Sequence, residues 1–179
     1  AAFLHSNSTV TILDFPEPSL GPGDVLVRVS ACGICASDLH LAHLSPGNLP
    51  YPLRPGHEVA GTVVDAARDV THIPLGQPVV VQPSIPCGIC PSCRQGRPNL
   101  CPNAQVIGLH RPGGFAGYLA VPAGNAYHTG ALPPGTAACT EPLACALHGL
   151  LRLAPRPAGR ILLFGAGAMP GETVAADLN

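Results

Sequence analysis

Gly21-Pro22-Gly23-Asp24-Val25-Leu26-Val27-Arg28-Val29 is the stretch from which the fold is read. Gly-Pro-Gly-Asp is turn chemistry, because proline presets φ and glycine reaches conformations that other residues avoid. Val25, Val27 and Val29 then alternate with Leu26 and Arg28, and that period of two marks a half-buried strand. Working outward, Val59 to Val64, Pro78 to Gln82 and Tyr118 to Val121 read as further short strands. Strands this short, separated by this many turn signals, predict a compact β-barrel or sandwich over roughly the first 125 residues.

The composition agrees with a folded body and narrows its partners. The chain has 179 residues, of which 46% are apolar and 11% charged, with 21 Gly and 22 Pro and a mean hydropathy of +0.31. That balance excludes a disordered polyelectrolyte. Nine arginines and no lysine face ten acids, a net charge of −1, so the footprint of a nucleic-acid binder is missing. The apolar stretch Ala137 to Ala154 is interrupted by Glu141, His148 and Arg152, which rules it out as a bilayer span. Ala1-Ala2-Phe3-Leu4-His5 does not read as a signal peptide, so cytoplasmic residence is expected. In that setting eight cysteines read as metal ligands rather than disulfides.

The character of the chain changes near Thr140. Glu141 to Leu153 is apolar with polar residues at helical spacing, and Pro142 suits a first turn. Arg160-Ile161-Leu162-Leu163-Phe164 reads as a buried strand running into Gly165-Ala166-Gly167. The expected organisation is a β domain over 1–139, with a lobe at 87–101, followed over 140–179 by a helix and the start of an α/β domain.

Cys87-x2-Cys90-x2-Cys93-x7-Cys101 is the most specific pattern in the sequence. Four thiolates so close in sequence can close a tetrahedron around zinc, and a saturated site of this kind is structural. Its few apolar residues imply that the metal supplies the folding energy of the lobe. A pair of disulfides is the alternative.

A second group is dispersed: Cys32-Gly33-Ile34-Cys35-Ala36-Ser37-Asp38-Leu39-His40, then Gly56-His57-Glu58, then Glu141. In this order around a four-cysteine lobe, these residues resemble the zinc-dependent medium-chain alcohol dehydrogenase family. The resemblance runs from Ala1 to about Gly167 and implies a GroES-like catalytic domain. It implies Cys35 and His57 as ligands of a catalytic zinc, giving two zinc ions per chain. Glu141 matches the place of a third ligand, with Glu in the polyol, sorbitol-like and threonine branches and Cys in simple alcohol dehydrogenases. Glu58 is the other carboxylate candidate. Zn²⁺ with one thiolate, one imidazole and one carboxylate is neutral, whereas a second carboxylate would oppose ionisation of an alcohol. The two glutamates are therefore expected to exchange, or one to bind through water.

Ser37 and His40 match the family's proton relay, and Asp38 matches a position that orients the ligand His57. Taken alone, Ser37 would be a turn residue and His40 a surface histidine. His5, His43, His72, His110, His128 and His148 sit in no matching motif, and Cys32, Cys139 and Cys145 read as buried small apolar residues.

Gly165-x-Gly167 after a strand resembles the start of a dinucleotide-binding unit. The third glycine should fall at 170, where Pro170 stands, with Gly171 one place late and no acid about twenty residues beyond the motif. This region is expected to be incomplete, so the 179 residues alone are expected not to turn over alcohols. The inherited activity implied by the resemblance is oxidation of an alcohol or polyol with NAD or NADP. The partner is then a small-molecule substrate, with no nucleic acid and no membrane, and a homo-oligomer only where the nucleotide domain is complete. The alternatives are a non-enzymatic zinc-binding β-domain and a simple alcohol dehydrogenase.

Overall fold

The computed structural model describes residues 1–44, 49 and 51–155. An N-terminal hairpin of β1 (Ala2–Leu4) and β2 (Val10–Ile12) comes first. The strand read from Val25 to Val29 extends as β3 (Asp24–Gly33) and passes into α1 (Ala36–Leu44). Next come β4 (Glu58–Ala66), β5 (Pro78–Val81) and β6 (Ser84–Ile85), then the short helix α2 (Pro91–Arg94) and β7 (Gln105–Val106). After β8 (Tyr118–Pro122) and β9 (Ala126–His128), the described chain ends in α3 (Pro134–Ala138) and α4 (Thr140–Leu153).

Five of these strands form one antiparallel sheet in the order β8-β3-β4-β5-β9. Its register explains the core. Val27 is opposite Val63 on one side and Leu119 on the other, and Val25 is opposite Val121; all five side chains are fully buried. Val59, Val79, Val81 and Ile107 complete this layer. Burying each such side chain contributes about 1.5–3 kcal/mol, so the valine alternation is a main source of stability. On a second patch Ala60 packs with Ala137 and Ala138 of α3, beside Ala31 and Val80. Small side chains on both partners let that short helix lie close to the sheet.

The sequence reading did not place β1, β2, β9 or α1. The apolar residues of α1 fall around the helix instead of along one face, so no helical period is visible. Helix α4 does follow its period and ends where Ala154 turns left-handed (φ +45°), its N–H capping the Leu150 carbonyl at 3.1 Å. Among the described residues no helix is long and apolar enough to cross a membrane. The expected strand at Arg160 to Phe164 and the glycines Gly165 and Gly167 lie outside the described residues.

Candidate metal centres

The four-cysteine lobe grows from the small hairpin β6–β7, whose register pairs Ser84 with Val106 and Ile85 with Gln105. That pairing brings the chain back so that Cys87 and Cys101 face each other. Asn125, buried, donates from Nδ2 to the carbonyls of Gln82 (2.8 Å) and Ser84 (2.9 Å) and so fastens the hairpin to the sheet. Gly88 turns the chain with φ of +73°, a conformation that glycine adopts without strain. The thiols meet backbone donors: Cys90 Sγ accepts the Cys93 N–H at 3.4 Å, and Cys101 Sγ accepts the Cys87 N–H at 3.3 Å.

All four sulfurs lie within 4.8 Å of one another, and all eight cysteines are free thiols. A tetrahedron of Zn–S bonds near 2.3 Å sets sulfurs roughly 3.8 Å apart, a spacing that this group can accommodate. Backbone hydrogen bonds from Ile89 and Cys90 pull the Cys87 thiol down to about 6, while burial pushes Cys93 up to about 12. One sulfur is thus already a thiolate at neutral pH, and another keeps its proton until a cation displaces it. The donor set suits zinc and leaves no position open.

The second centre forms where β3 ends and β4 begins. Gly33 and Glu58 are register partners, so the residues just beyond them, Cys35 and His57, are held at the same edge. The ligating atoms of Cys35, His57 and Glu58 all lie within 4.8 Å of one another. Gly56, with φ of +94°, turns the chain just before His57; a Cβ there would stand 2.8 Å from the Phe115 nitrogen and 2.9 Å from Cys32 Sγ.

Asp38, buried in the first turn of α1, accepts the Cys35 N–H at 2.9 Å through Oδ2, the side-chain half of a capping box. Its Oδ1 accepts the Gly56 N–H at 3.4 Å and lies 3.7 Å from His57 Nδ1. With Nδ1 turned to Asp38, Nε2 is the nitrogen left for a metal. A thiolate, an imidazole and a carboxylate suit zinc with a fourth position open to substrate.

Ser37 and His40 line a cavity of about 320 Å³ together with His57, Leu41, Ile107 and Leu109. A larger cavity of about 600 Å³ lies against α1 and is lined by apolar side chains such as Val10, Ile12, Ile34 and Leu39, with Asp38. It is lined by none of Cys35, His57 and Glu58, whereas His57 lines the smaller one.

Glu141 is not in the ligating group. Its Oε1 accepts a hydrogen bond from Cys145 Sγ one turn along α4, at 3.4 Å. Burial and the Glu141 carboxylate raise the Cys145 thiol to about 11, with further pushes from Cys35 and Glu58. The charges of the second centre therefore reach this face of α4. Cys139 and Cys145 are exposed, not buried as the sequence suggested: Cys139 sits at the junction of α3 and α4, and Cys145 lies on α4, which buries none of its residues. Cys32 is half-buried, and burial followed by the nearby Asp38 and Glu58 charges pushes its thiol up to about 12. Sequence reasoning missed Gly33, Asn125 and the apolar wall of the smaller cavity; none carries a motif, since each matters only through what it faces in space.

The alcohol dehydrogenase GroES-like domain matches residues 21–133. D-Altritol 5-dehydrogenase of Agrobacterium fabrum is 41% identical over 160 residues, covering 87% of this chain and 48% of that protein. L-Galactonate-5-dehydrogenase of Escherichia coli is 36% identical over 150 residues, covering 84% and 44%. Among solved structures, a zinc-binding dehydrogenase from Sinorhizobium meliloti bound to NADP superposes with a TM-score of 0.79 at 43% identity, over 85% of this chain and 44% of that one. The chain spans about half the length of the curated relatives it matches. With the matched domain covering most of the described residues, the chain belongs to the zinc-dependent medium-chain alcohol dehydrogenase family, as a mainly β, GroES-like member.

Proposed function

We propose that residues 1–139 form the zinc-binding catalytic domain of an enzyme that oxidises polyols or secondary alcohols with NAD or NADP. Residues 140–179 would lead into the nucleotide-binding domain, with Gly165 and Gly167 at the cofactor phosphates. The observation that carries this reading is the convergence of Cys35, His57 and Glu58 within 4.8 Å, beside a cavity lined by Ser37 and His40. The chemistry supplied by the bound groups would be polarisation of the alcohol oxygen by zinc and acceptance of the hydride by nicotinamide.

The residues of the chain have separate tasks. Cys35, His57 and Glu58 would hold a zinc ion in a neutral set, a charge balance that would favour loss of the proton from an alcohol. Ser37 would take that proton on its hydroxyl while giving up its own, and His40 would pass it towards solvent. Asp38 orients His57. Glu141, which accepts from Cys145 one turn along α4, would exchange with Glu58 or bind through water. Cys87, Cys90, Cys93 and Cys101 would hold a structural zinc. A carboxylate at position 141, where a simple alcohol dehydrogenase has a thiolate, favours the polyol branch. The partner is a small polyol or alcohol, and the compartment is the cytoplasm.

Elemental analysis should find two zinc ions per chain, falling to one in Cys35→Ser. With cobalt in the second site, adding sorbitol, threonine or a secondary alcohol should shift the visible spectrum, and Cys35→Ser should abolish that response. One metal per chain, or a spectrum indifferent to every alcohol, would overturn the assignment.

A further inference from the structure

The β3–β4 ladder sets Gly33 directly opposite Glu58. Successive side chains of an extended chain point to opposite faces, so His57 and Glu58 would ordinarily diverge. Their ligating atoms nonetheless meet that of Cys35 within 4.8 Å. The Glu58 side chain reaches this position by lying over the α-carbon of Gly33. A Cβ built at residue 33 would collide with Glu58 Oε2 and stand 3.0 Å from its Cδ and 3.1 Å from its Cβ. Gly33 is not required by its backbone, for it is the last, paired residue of strand β3 and is not among the residues of positive φ. Glycine inside a strand is the weaker choice, since it costs conformational entropy and packs nothing. What the position needs is empty space.

We propose that Gly33 is a positioning residue: the space left by its absent side chain seats the Glu58 carboxylate and so assigns Glu58, not Glu141, to Cys35 and His57. This rests on the reading of those three residues as a metal centre. The atom that collides most closely is the far end of a flexible side chain, so a methyl group at 33 displaces the carboxylate before it disturbs the sheet. The vacated position is then open to Glu141 from α4, and the centre keeps a neutral ligand set by exchange.

The test is a chelator-competition titration of the second site with cobalt, in the 179-residue chain and in Gly33→Ala, Glu58→Gln, Glu141→Gln and their pairs. Gly33→Ala should weaken cobalt binding about tenfold or more, the range for groups that orient metal ligands, and leave the four-cysteine site filled. Adding Glu58→Gln to Gly33→Ala should cost nothing further, because the carboxylate has already left. Glu141→Gln should cost more in the Gly33→Ala background than in the parent chain. Parental affinity in Gly33→Ala, or effects of Gly33→Ala and Glu58→Gln that simply multiply, would overturn the proposal.

Should Gly33→Ala fail to fold, Gly33→Ala/Glu58→Ala must restore folding by removing the clash, and its failure to do so would also overturn the proposal. A parent chain that takes up metal only at the four cysteines refutes the metal centre itself, and the proposal with it. That result is visible before any substitution is made.

Discussion

Asp38 Oδ1 lies 3.7 Å from His57 Nδ1, while the same carboxylate accepts the Cys35 N–H through Oδ2 at 2.9 Å. One buried side chain thus ties together two ligand segments that are distant in sequence. Asp38→Asn keeps an oxygen for the Cys35 amide but removes the charge facing the imidazole. The expected outcome is metal affinity at the second site reduced about 10–100-fold, with the fold and the four-cysteine site intact. Chelator competition measures it; an unchanged affinity would show that His57 is oriented by something else.

The four-cysteine lobe should lose zinc on acidification in a particular way. Cys93, raised to about 12, surrenders its proton to the metal throughout the accessible range, whereas Cys87, lowered to about 6, is already ionised at neutral pH. Affinity therefore falls as pH falls, and its logarithm should steepen by about one further proton below about pH 6, where Cys87 must also be deprotonated. Competition titrations from about pH 8 to about pH 5 read this slope. Since the lobe ligands are local and the Cys35 centre joins distant segments, a chelator should also empty the two sites in two phases, the Cys35 centre first. A single phase, or a slope without the break, would contradict this account.

Cys32 supplies a pH dependence of folding. Its thiol is raised from 9.0 to about 12, first by burial and then by Asp38 and Glu58, so the folded chain favours the neutral form. The sign follows: the contribution is fully present below about pH 9, where the unfolded thiol is also neutral, and is lost as pH rises towards 12. Denaturant unfolding between about pH 8 and pH 11 should show a decline that Cys32→Ala lessens. Parallel declines in the two chains would remove Cys32 as its cause.

How much of this was legible follows from how local each signal is. Strand β3 was readable because a Gly-Pro-Gly-Asp turn precedes strict alternation, and the lobe because its four cysteines sit close together in sequence. Helix α4 was found by its period, but its exposure was not, so Cys145 was misplaced, and Cys139 was misplaced because it falls at the α3–α4 junction. Helix α1 carries no apolar stripe to announce it. The three-residue strands β1 and β2 are too short to show a period. Gly33 gave no signal at all, because its significance is a clash with a residue on the neighbouring strand, and register is a property of the folded sheet.

Arg54 is a feature that no sequence pattern foretold. It is only 7% exposed, and among the described residues its Nε has no hydrogen-bond partner and no carboxylate lies within 4.0 Å of it. Burial lowers its pKa, the expected response of a desolvated cation. Against that cost stands the Phe15 ring, whose centroid is 5.4 Å from the guanidinium carbon. Such a stack is worth about 0.5–2 kcal/mol, whereas an unsatisfied buried donor costs about 1–3 kcal/mol and more when charged. The penalty outweighs the stack. Arg54→Met, which keeps the length of the side chain and removes the charge, should therefore raise stability by about 1 kcal/mol, or about 2–4 °C in Tm for a chain of this size. Arg54→Lys, a compact cation without the planar face that stacks on Phe15, should lower it. Thermal unfolding of the three chains decides the matter, and a destabilised Arg54→Met would mean that the guanidinium is satisfied after all.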